Sequence, residues 1–182
     1  MKNYKGIKIE IKPTAEQIEK INRTIGTGRF LYNFYIAYNK EIYEKEKRFV
    51  TGFEFSKYIN NVFIKENPDK SWIKDVSSKS NKQAIMNSEK AFKRFFNKIS
   101  SFPKFKKKSH NNQKCYFFKN NKTDFEFYRH KIKIPTLKFV RLKEYGYIPK
   151  NANIKSATIS KEGDRYFLSL ILEIKKEIEK NS

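Results

Sequence analysis

The first strand of this chain has nothing beside it to pair with. Residues 4–12 (YKGIKIEIK) put Ile7, Ile9 and Ile11 on one face and Lys8, Glu10 and Lys12 on the other, the period-2 pattern of a strand with one buried side. Pro13 stops it, and Thr14 with Gln17 forms a capping box for a helix. From there to about Ile99 the apolar spacing is helical, and β-type runs return only after Phe102-Pro103. A single strand is not stable alone, so a late strand must return to pair with it. The pattern therefore predicts an α+β fold, with a helical block inserted after the first strand of a β-domain.

Within the helical block, a short helix is expected to about Thr24, with Gly26 and Gly28 breaking the chain. A second, over 29–47, carries Phe30, Asn33, Phe34, Ala37 and Tyr38. Gly52 marks a turn, and Phe55, Ile59, Val62 and Phe63 predict a third helix, closed by Asn67-Pro68-Asp69. Ser77 and Ser78 read as caps of a long helix with the stripe Ala84, Ile85, Ala91, Phe92, Phe95 and Phe96. Strands follow at 114–119, 124–128, 131–134, 138–142, 154–160 and 165–174, the last two as a hairpin around Glu162-Gly163-Asp164. Lys175 to Ser182 is a charged tail, expected to fray.

Charge narrows the partner. In 182 residues, 41 Lys+Arg against 19 Asp+Glu leave a net charge of +22, which draws phosphate polyanions or acidic membrane surfaces. Hydrophobic residues make up 38%, enough to build a core rather than a disordered basic tail. Between Glu89 and Asp124 there is no acid at all, while Arg94 and ten lysines, including Lys104, Lys106, Lys107, Lys108, Lys114 and Lys119, alternate with aromatic residues. Lysines neutralise backbone phosphates and aromatic faces stack on bases or fill a core; phosphate contact is the favoured reading, with most of the phenylalanines in the core. Arg23 and Arg29 flank the Gly26/Gly28 segment, with Asn33 a turn beyond. Arginine can fork to phosphate or guanine and asparagine can read adenine; equally, Asn33 can tie backbone and Arg29 can pair with an acid. Ser77, Ser78, Lys79, Asn81 and Lys82 open a helix, where capping is the favoured role and anion binding the alternative.

Several chemistries are excluded from the expectation. One cysteine, Cys115, permits no internal disulfide and no four-cysteine zinc site, and no metal or other cofactor is expected. Its lysine neighbours would favour a thiolate, but an apolar strand makes a buried, inert thiol the expected state. The four aspartates, Asp69, Asp75, Asp124 and Asp164, all read as turn, loop or surface positions, so no carboxylate pair is set up to hold catalytic metal ions. His110 and His130 sit in basic loops and read as bystanders. No apolar run approaches ~20 residues, and the N-terminus lacks the apolar core of a secretory signal, so a cytoplasmic protein without membrane partners is expected.

An ordered set of motifs then resembles one family. Asn22-Arg23-Thr24-Ile25-Gly26-x-x-Arg29-Phe30-x-Tyr32-Asn33 follows the strand and its Pro-Thr-x-x-Gln. Next come Trp72-Ile73-x-x-Val76-Ser77-Ser78, Gln83-Ala84, Ala91-Phe92-x-x-Phe95-Phe96, and Phe102-Pro103-Lys104-Phe105-Lys106. Ile132-x-Ile134-Pro135-x-Leu137, the run from Ile154 to Ser160, and Arg165-Tyr166 complete it. Together these resemble the TnpB (OrfB) family of transposon-encoded, RNA-guided DNA nucleases, related to the type V CRISPR effectors.

The resemblance implies a wedge-like β-barrel formed by residues 1–12 and 101–175, with a helical recognition domain, 13–100, inserted and 176–182 as a tail. It implies guide RNA and double-stranded target DNA as partners. It places reading of a short target-adjacent motif near Ser56, Ser78, Lys82 and Asn120; the charge pattern itself puts Arg23, Arg29, Lys79, Arg94, Lys104, Lys106, Lys107, Lys108, Lys114 and Lys119 on the nucleic-acid backbone. Relatives often carry Gln at the position of Lys82. In the family a RuvC-like nuclease domain and a zinc ribbon follow the last barrel strand, and this sequence stops short of both, so binding without cleavage is expected. Alternative expectations are a nuclease-dead RNA-guided regulator, half of a split nuclease whose catalytic domain is encoded separately, and a basic structural protein of a ribonucleoprotein.

Overall fold

The computed structural model describes residues 3–108, 113–119 and 121–174. It divides into two compact units, Met1–Ile21 with Asn111–Ser182, and Asn22–His110. The tail from Lys175 and the turn residue Asn120 lie outside the described residues.

The first unit is a seven-stranded antiparallel sheet: β1 (Asn3–Lys12), β2 (Gln113–Phe118), β3 (Phe127–Tyr128), β4 (Lys131–Ile134), β5 (Lys138–Leu142), β6 (Asn153–Glu162) and β7 (Arg165–Ile174). Their order is β2-β6-β7-β1-β5-β4-β3, so β1 is central. It pairs along its length with β7, Ile9 opposite Leu168, and at its end with β5, Ile11 opposite Leu142. This satisfies the ladder that its sequence neighbours could not supply. The expected barrel is not closed by this pairing, because β2 and β3 stand at opposite ends of the order as edges.

Alternation fixes which face is buried. Ile9, Ile11, Cys115, Phe117, Ile132, Ile134, Val140, Leu142, Ala157, Ile159, Leu168 and Leu170 are all buried on the inner face. In β6 the inward positions Ile154 and Ala157 are three apart. A register shift between Ile154 and Ser156, a bulge, absorbs the extra residue and keeps both inward.

The second unit is helical. α1 (Ala15–Glu46) crosses from the first unit into it; α2 (Gly52–Tyr58), a π-helical turn (Ile59–Phe63), α3 (Ile64–Glu66), a 3₁₀ segment (Pro68–Asp75) and α4 (Ser78–Phe96) complete it. Its core is aromatic. Phe55 and Tyr35 are fully buried with ring centroids 5.1 Å apart, Phe34 packs on Phe55 and Phe63, and Phe92 joins from α4. The Tyr35 hydroxyl donates to the Val50 carbonyl at 2.7 Å, and Asn39 Oδ1 accepts from the Val50 amide at 2.7 Å, so the chain after α1 is pinned to it on both sides.

The expected break at Gly26 and Gly28 does not occur: α1 runs unbroken for 32 residues. Each helical glycine costs only about 1 kcal/mol relative to alanine. Burial of Ile21, Ile25, Leu31, Tyr35 and Ile36 along one stripe outweighs that cost. Three smaller expectations also change. α2 begins at Gly52 rather than after it, because Thr51 and Glu54 form a full capping box. Ser77 occupies the N-cap of α4 but its side chain makes no capping bond. Phe96, Phe102 and Phe105, expected largely in the core, are exposed by 53%, 43% and 57%, because α4 ends at Phe96 and the chain leaves the core there.

Candidate nucleic-acid interface

The start of α4 faces a hollow of about 410 Å³. Its floor is Leu31, Ile59, Ile73 and Ile85, and its rim holds Ser56 and Asn60 from the second helical stretch with Lys74, Ser78, Lys79 and Lys82. No carboxylate lines it, and the first turn of α4 contains no acid. Three lysines therefore add to the partial positive charge of the helix N-terminus. Asn81 Nδ2 donates to the Ile73 carbonyl at 2.8 Å, which ties the 3₁₀ segment to α4. Its Oδ1 is buried without a hydrogen-bond partner among the described residues. Ser56, Ser78 and Lys82, far apart in sequence, thus share one concavity; Asn120 lies outside the described residues. Sequence reasoning missed Asn60 and Lys74, for which only the helical period after Ser56 and the run into Ser77 gave a signal.

The remaining basic positions divide between the units. Arg23 lies 3.7 Å from Asp75, both half-exposed. Arg29 has no carboxylate partner among the described residues and lines a shallow groove with Phe30, Phe34, Phe63, Lys70 and Phe105. Asn33 ties backbone: its Nδ2 donates to the Lys106 carbonyl at 3.0 Å and its Oδ1 accepts from the Lys106 amide at 2.8 Å. With both faces of its amide used, it is not available to read a base. This clamp holds Lys106 with its ammonium 4.1 Å from the Tyr32 ring centroid. Lys79, Arg94, Lys104, Lys107 and Lys108 are exposed in the helical unit, and Lys114 and Lys119 in the sheet unit. Lys119 borders a groove of about 850 Å³ that Lys122, Arg129 and Lys150 also line.

The outer face of the sheet mixes cations with aromatic rings. Lys8 and Arg165 sit 4.5 and 5.0 Å from the Phe167 centroid, and Lys131 lies 5.2 and 4.8 Å from Tyr128 and Phe139. Acids are interspersed with them: Lys8 pairs with Glu162 at 2.7 Å, and Glu10 lies beside Arg165. Hydrogen bonds from Arg165 and Lys143, each 2.7 Å, hold its carboxyl down at about 2. Sequence reasoning did not single out Phe167, although its outward place in an alternating strand was readable.

Reactive groups are few. Cys115 is buried, and burial pushes its thiol well above the ordinary range, so the lysines beside it do not make a thiolate. Asp124 lies in a turn, as expected, but is buried, its Oδ2 accepting from the Asn121 amide at 3.0 Å while Asn121 Oδ1 accepts from the Asp124 amide at 3.0 Å. His130 is exposed and His110 lies outside the described residues. Among the described residues, no three His, Cys, Asp or Glu side chains gather as a metal site, and no helix is long and apolar enough to cross a membrane.

The fold and its charge define a basic α+β chain in which an aromatic-cored helical unit interrupts an antiparallel sheet after one strand. Residues 1–48 match the family model HTH_OrfB_IS605, described as a helix-turn-helix domain. In this structure that stretch is one strand and one continuous helix. The protein named "Putative RNA-guided DNA endonuclease InsQ" of Escherichia coli (strain K12) is 27% identical over 173 residues, 95% of this chain and 41% of that one. One of Streptomyces pristinaespiralis, with the same description but no gene name, is 23% identical over 93% of this chain and 41% of its own length. A solved Cas12f1–sgRNA–target DNA complex aligns with a TM-score of 0.46 at 18% identity, over 96% of this chain and 49% of that one. The chain is thus similar to TnpB/OrfB (IS605) family proteins over nearly its whole length, and spans 41% of the length of these curated relatives.

Proposed function

We propose that this chain is a nucleic-acid-binding module that holds guide RNA and target DNA by phosphate contacts, reads a short motif beside the target, and does not itself cut. The observation that carries the reading is the acid-free hollow at the start of α4, where Ser56, Ser78 and Lys82 converge with Lys74 and Lys79. Small hydroxyls and a lysine in one concavity can donate to base edges, while the surrounding cations hold the backbone. Asn120 is the fourth reader in this proposal. Arg23, Arg29, Lys79, Arg94, Lys104, Lys106, Lys107, Lys108, Lys114 and Lys119 are its backbone contacts.

The sheet serves in this reading as the wedge-like barrel and the helical unit as the recognition domain. Its inner face is buried to a few per cent exposure. Catalysis is assigned to a nuclease domain outside this chain.

Binding to RNA and to duplex DNA should fall steeply between ~50 and ~200 mM salt, since each neutralised phosphate releases counterions. Selection from duplexes with randomised flanks, in the presence of guide RNA, should show Lys82→Ala altering the preferred motif more than the total affinity. An equal loss on every flank would move Lys82 to the backbone-contact class, and a flat salt response would overturn the electrostatic basis of the proposal.

A further inference from the structure

A second candidate site lies on the sheet unit, built from three turns and strand ends that no local motif connects. Arg129, His130, Arg141 and Tyr145 line a hollow of about 720 Å³. Backbone bonds set its walls: the Gly146 amide donates to the Arg129 carbonyl and the Leu142 amide to the His130 carbonyl, each at 2.8 Å. Gly146, at φ +69, lets the chain after Tyr145 turn back toward Arg129. Arg141 Nη2 donates to the Tyr145 hydroxyl at 3.4 Å, and the His130 and Tyr145 rings meet edge-on with centroids 6.0 Å apart.

Two features give this hollow a ligand class. Neither Arg129 nor Arg141 pairs with a carboxylate among the described residues, and no acid lines the hollow. Elsewhere on the same unit, exposed cations do find acids, as Lys8 finds Glu162 and Lys143 finds Glu10. Two uncompensated guanidinium groups facing one concavity match a phosphate, which they can bind by paired N–H donors. Beside them Tyr145 is 56% exposed, a large ring presented to solvent at the same rim. An exposed aromatic next to a phosphate clamp matches a base that is not stacked in a duplex. The cationic row also extends beyond the hollow. Arg141 is directly opposite Lys131 on one side and Lys12 on the other, a spacing along which successive phosphates of one strand could run.

We infer that the Arg129–His130–Arg141–Tyr145 hollow binds one nucleotide of a single-stranded segment, its phosphate between the two arginines and its base on Tyr145. The inference rests on the nucleic-acid-binding reading above but concerns a different unit and different residues from the motif-reading hollow. The ligand chemistry is shared by RNA and DNA single strands.

The test uses the full chain and a fluorescein-labelled oligouridylate of about ten nucleotides, with the matching oligothymidylate and a duplex of the same length as separate arms. The paired substitution Arg129→Ala and Arg141→Ala should weaken single-strand binding about tenfold and lower the logarithmic salt slope by about 0.7 for each phosphate no longer neutralised. Tyr145→Ala should weaken it at least fivefold, with Tyr145→Phe within about twofold of wild type. All these side chains are at the surface, and thermal melts check that the variants fold. Duplex binding should change by less than single-strand binding in each case. Equal effects in the RNA and DNA arms assign the site to any single strand, and an effect confined to RNA assigns it to RNA. The control removes two exposed lysines of the helical unit, Lys40→Ala with Lys65→Ala. If that pair weakens single-strand binding as much as the arginine pair, or if Tyr145→Ala binds like wild type, the site is overturned while the broader reading stands. If the wild-type chain binds no nucleic acid, both fall.

Discussion

Gln17 should be worth more than a helix cap. Its Oε1 accepts from the Thr14 amide at 3.0 Å, closing the capping box, and its Nε2 donates to the carbonyls of Leu137 and Phe139, both at 2.9 Å. Those carbonyls lie in the turn after β4 and at the start of β5, where Thr136 and Lys138 have φ of 69° and 61°. Non-glycine residues in that left-handed region cost on the order of 1 kcal/mol each, so the turn needs an external hold. Gln17→Ala removes three hydrogen bonds, each with a net value of about 1 kcal/mol, and strands buried acceptors. The expected loss is about 2–4 kcal/mol, a large share of a typical domain's stability. Gln17→Glu separates the two roles. A carboxylate still caps Thr14, and suits a helix N-terminus, but it sets an acceptor against two carbonyl oxygens. At neutral pH it should lose most of what alanine loses. Protonation in acid restores one donor and should recover part of the difference. Urea unfolding of the three proteins at pH 7 and pH 4, with amide exchange across 134–140, measures this. Wild-type stability for Gln17→Glu at pH 7, or a loss under about 1 kcal/mol for Gln17→Ala, would refute the tether.

Three further outcomes follow from the structure. Gly26→Ala should stabilise the chain by about 0.5–1 kcal/mol, because an added Cβ there meets nothing within 4 Å and α1 is helical through it; a loss in thermal melting would restore the broken helix. Glu10, whose folded carboxyl titrates at about 2 against 4.5 for the free group, contributes stability that is fully present above the unfolded value and is lost as pH falls toward 2. Glu10→Gln should therefore be less stable than wild type at pH 7, with the gap narrowing below about pH 4.5, as read by denaturation at each pH. Cys115 should react slowly with a thiol reagent in the folded chain and fully on unfolding; rapid native labelling would contradict its burial.

Much of the sheet was legible because period-2 alternation survives in it. The bounds expected for 131–134, 138–142 and 165–174 coincide with β4, β5 and β7, and the need for a late partner for β1 is met by β7. The helical block was harder to read. Gly26 and Gly28 carry a breaker signal, but a helix interior is decided by what its other faces bury, and one residue pattern cannot weigh that. Thr51-x-x-Glu54 was a readable capping box that the glycine after Thr51 obscured. Asp124 looked like a turn acid, yet its reciprocal bonds with Asn121 let it be buried. For the sites, the acid-free stretch marked the basic character, and the resemblance supplied Ser56, Ser78 and Lys82. That these three share one hollow depends on how α2 and α4 pack in the helical unit, which no spacing encodes. The Arg129 hollow was not readable at all, since its residues meet only through the Gly146 and Leu142 backbone bonds.

The most direct test of the account is the RNA that the chain carries. The protein is purified through a high-salt wash from a host bearing its native flanking DNA, and the bound RNA is sequenced. The account predicts one discrete species from the flanking region, held by contacts that survive the wash. Heterogeneous RNA, or none, would contradict a dedicated guide and leave only general affinity from a charge of +22.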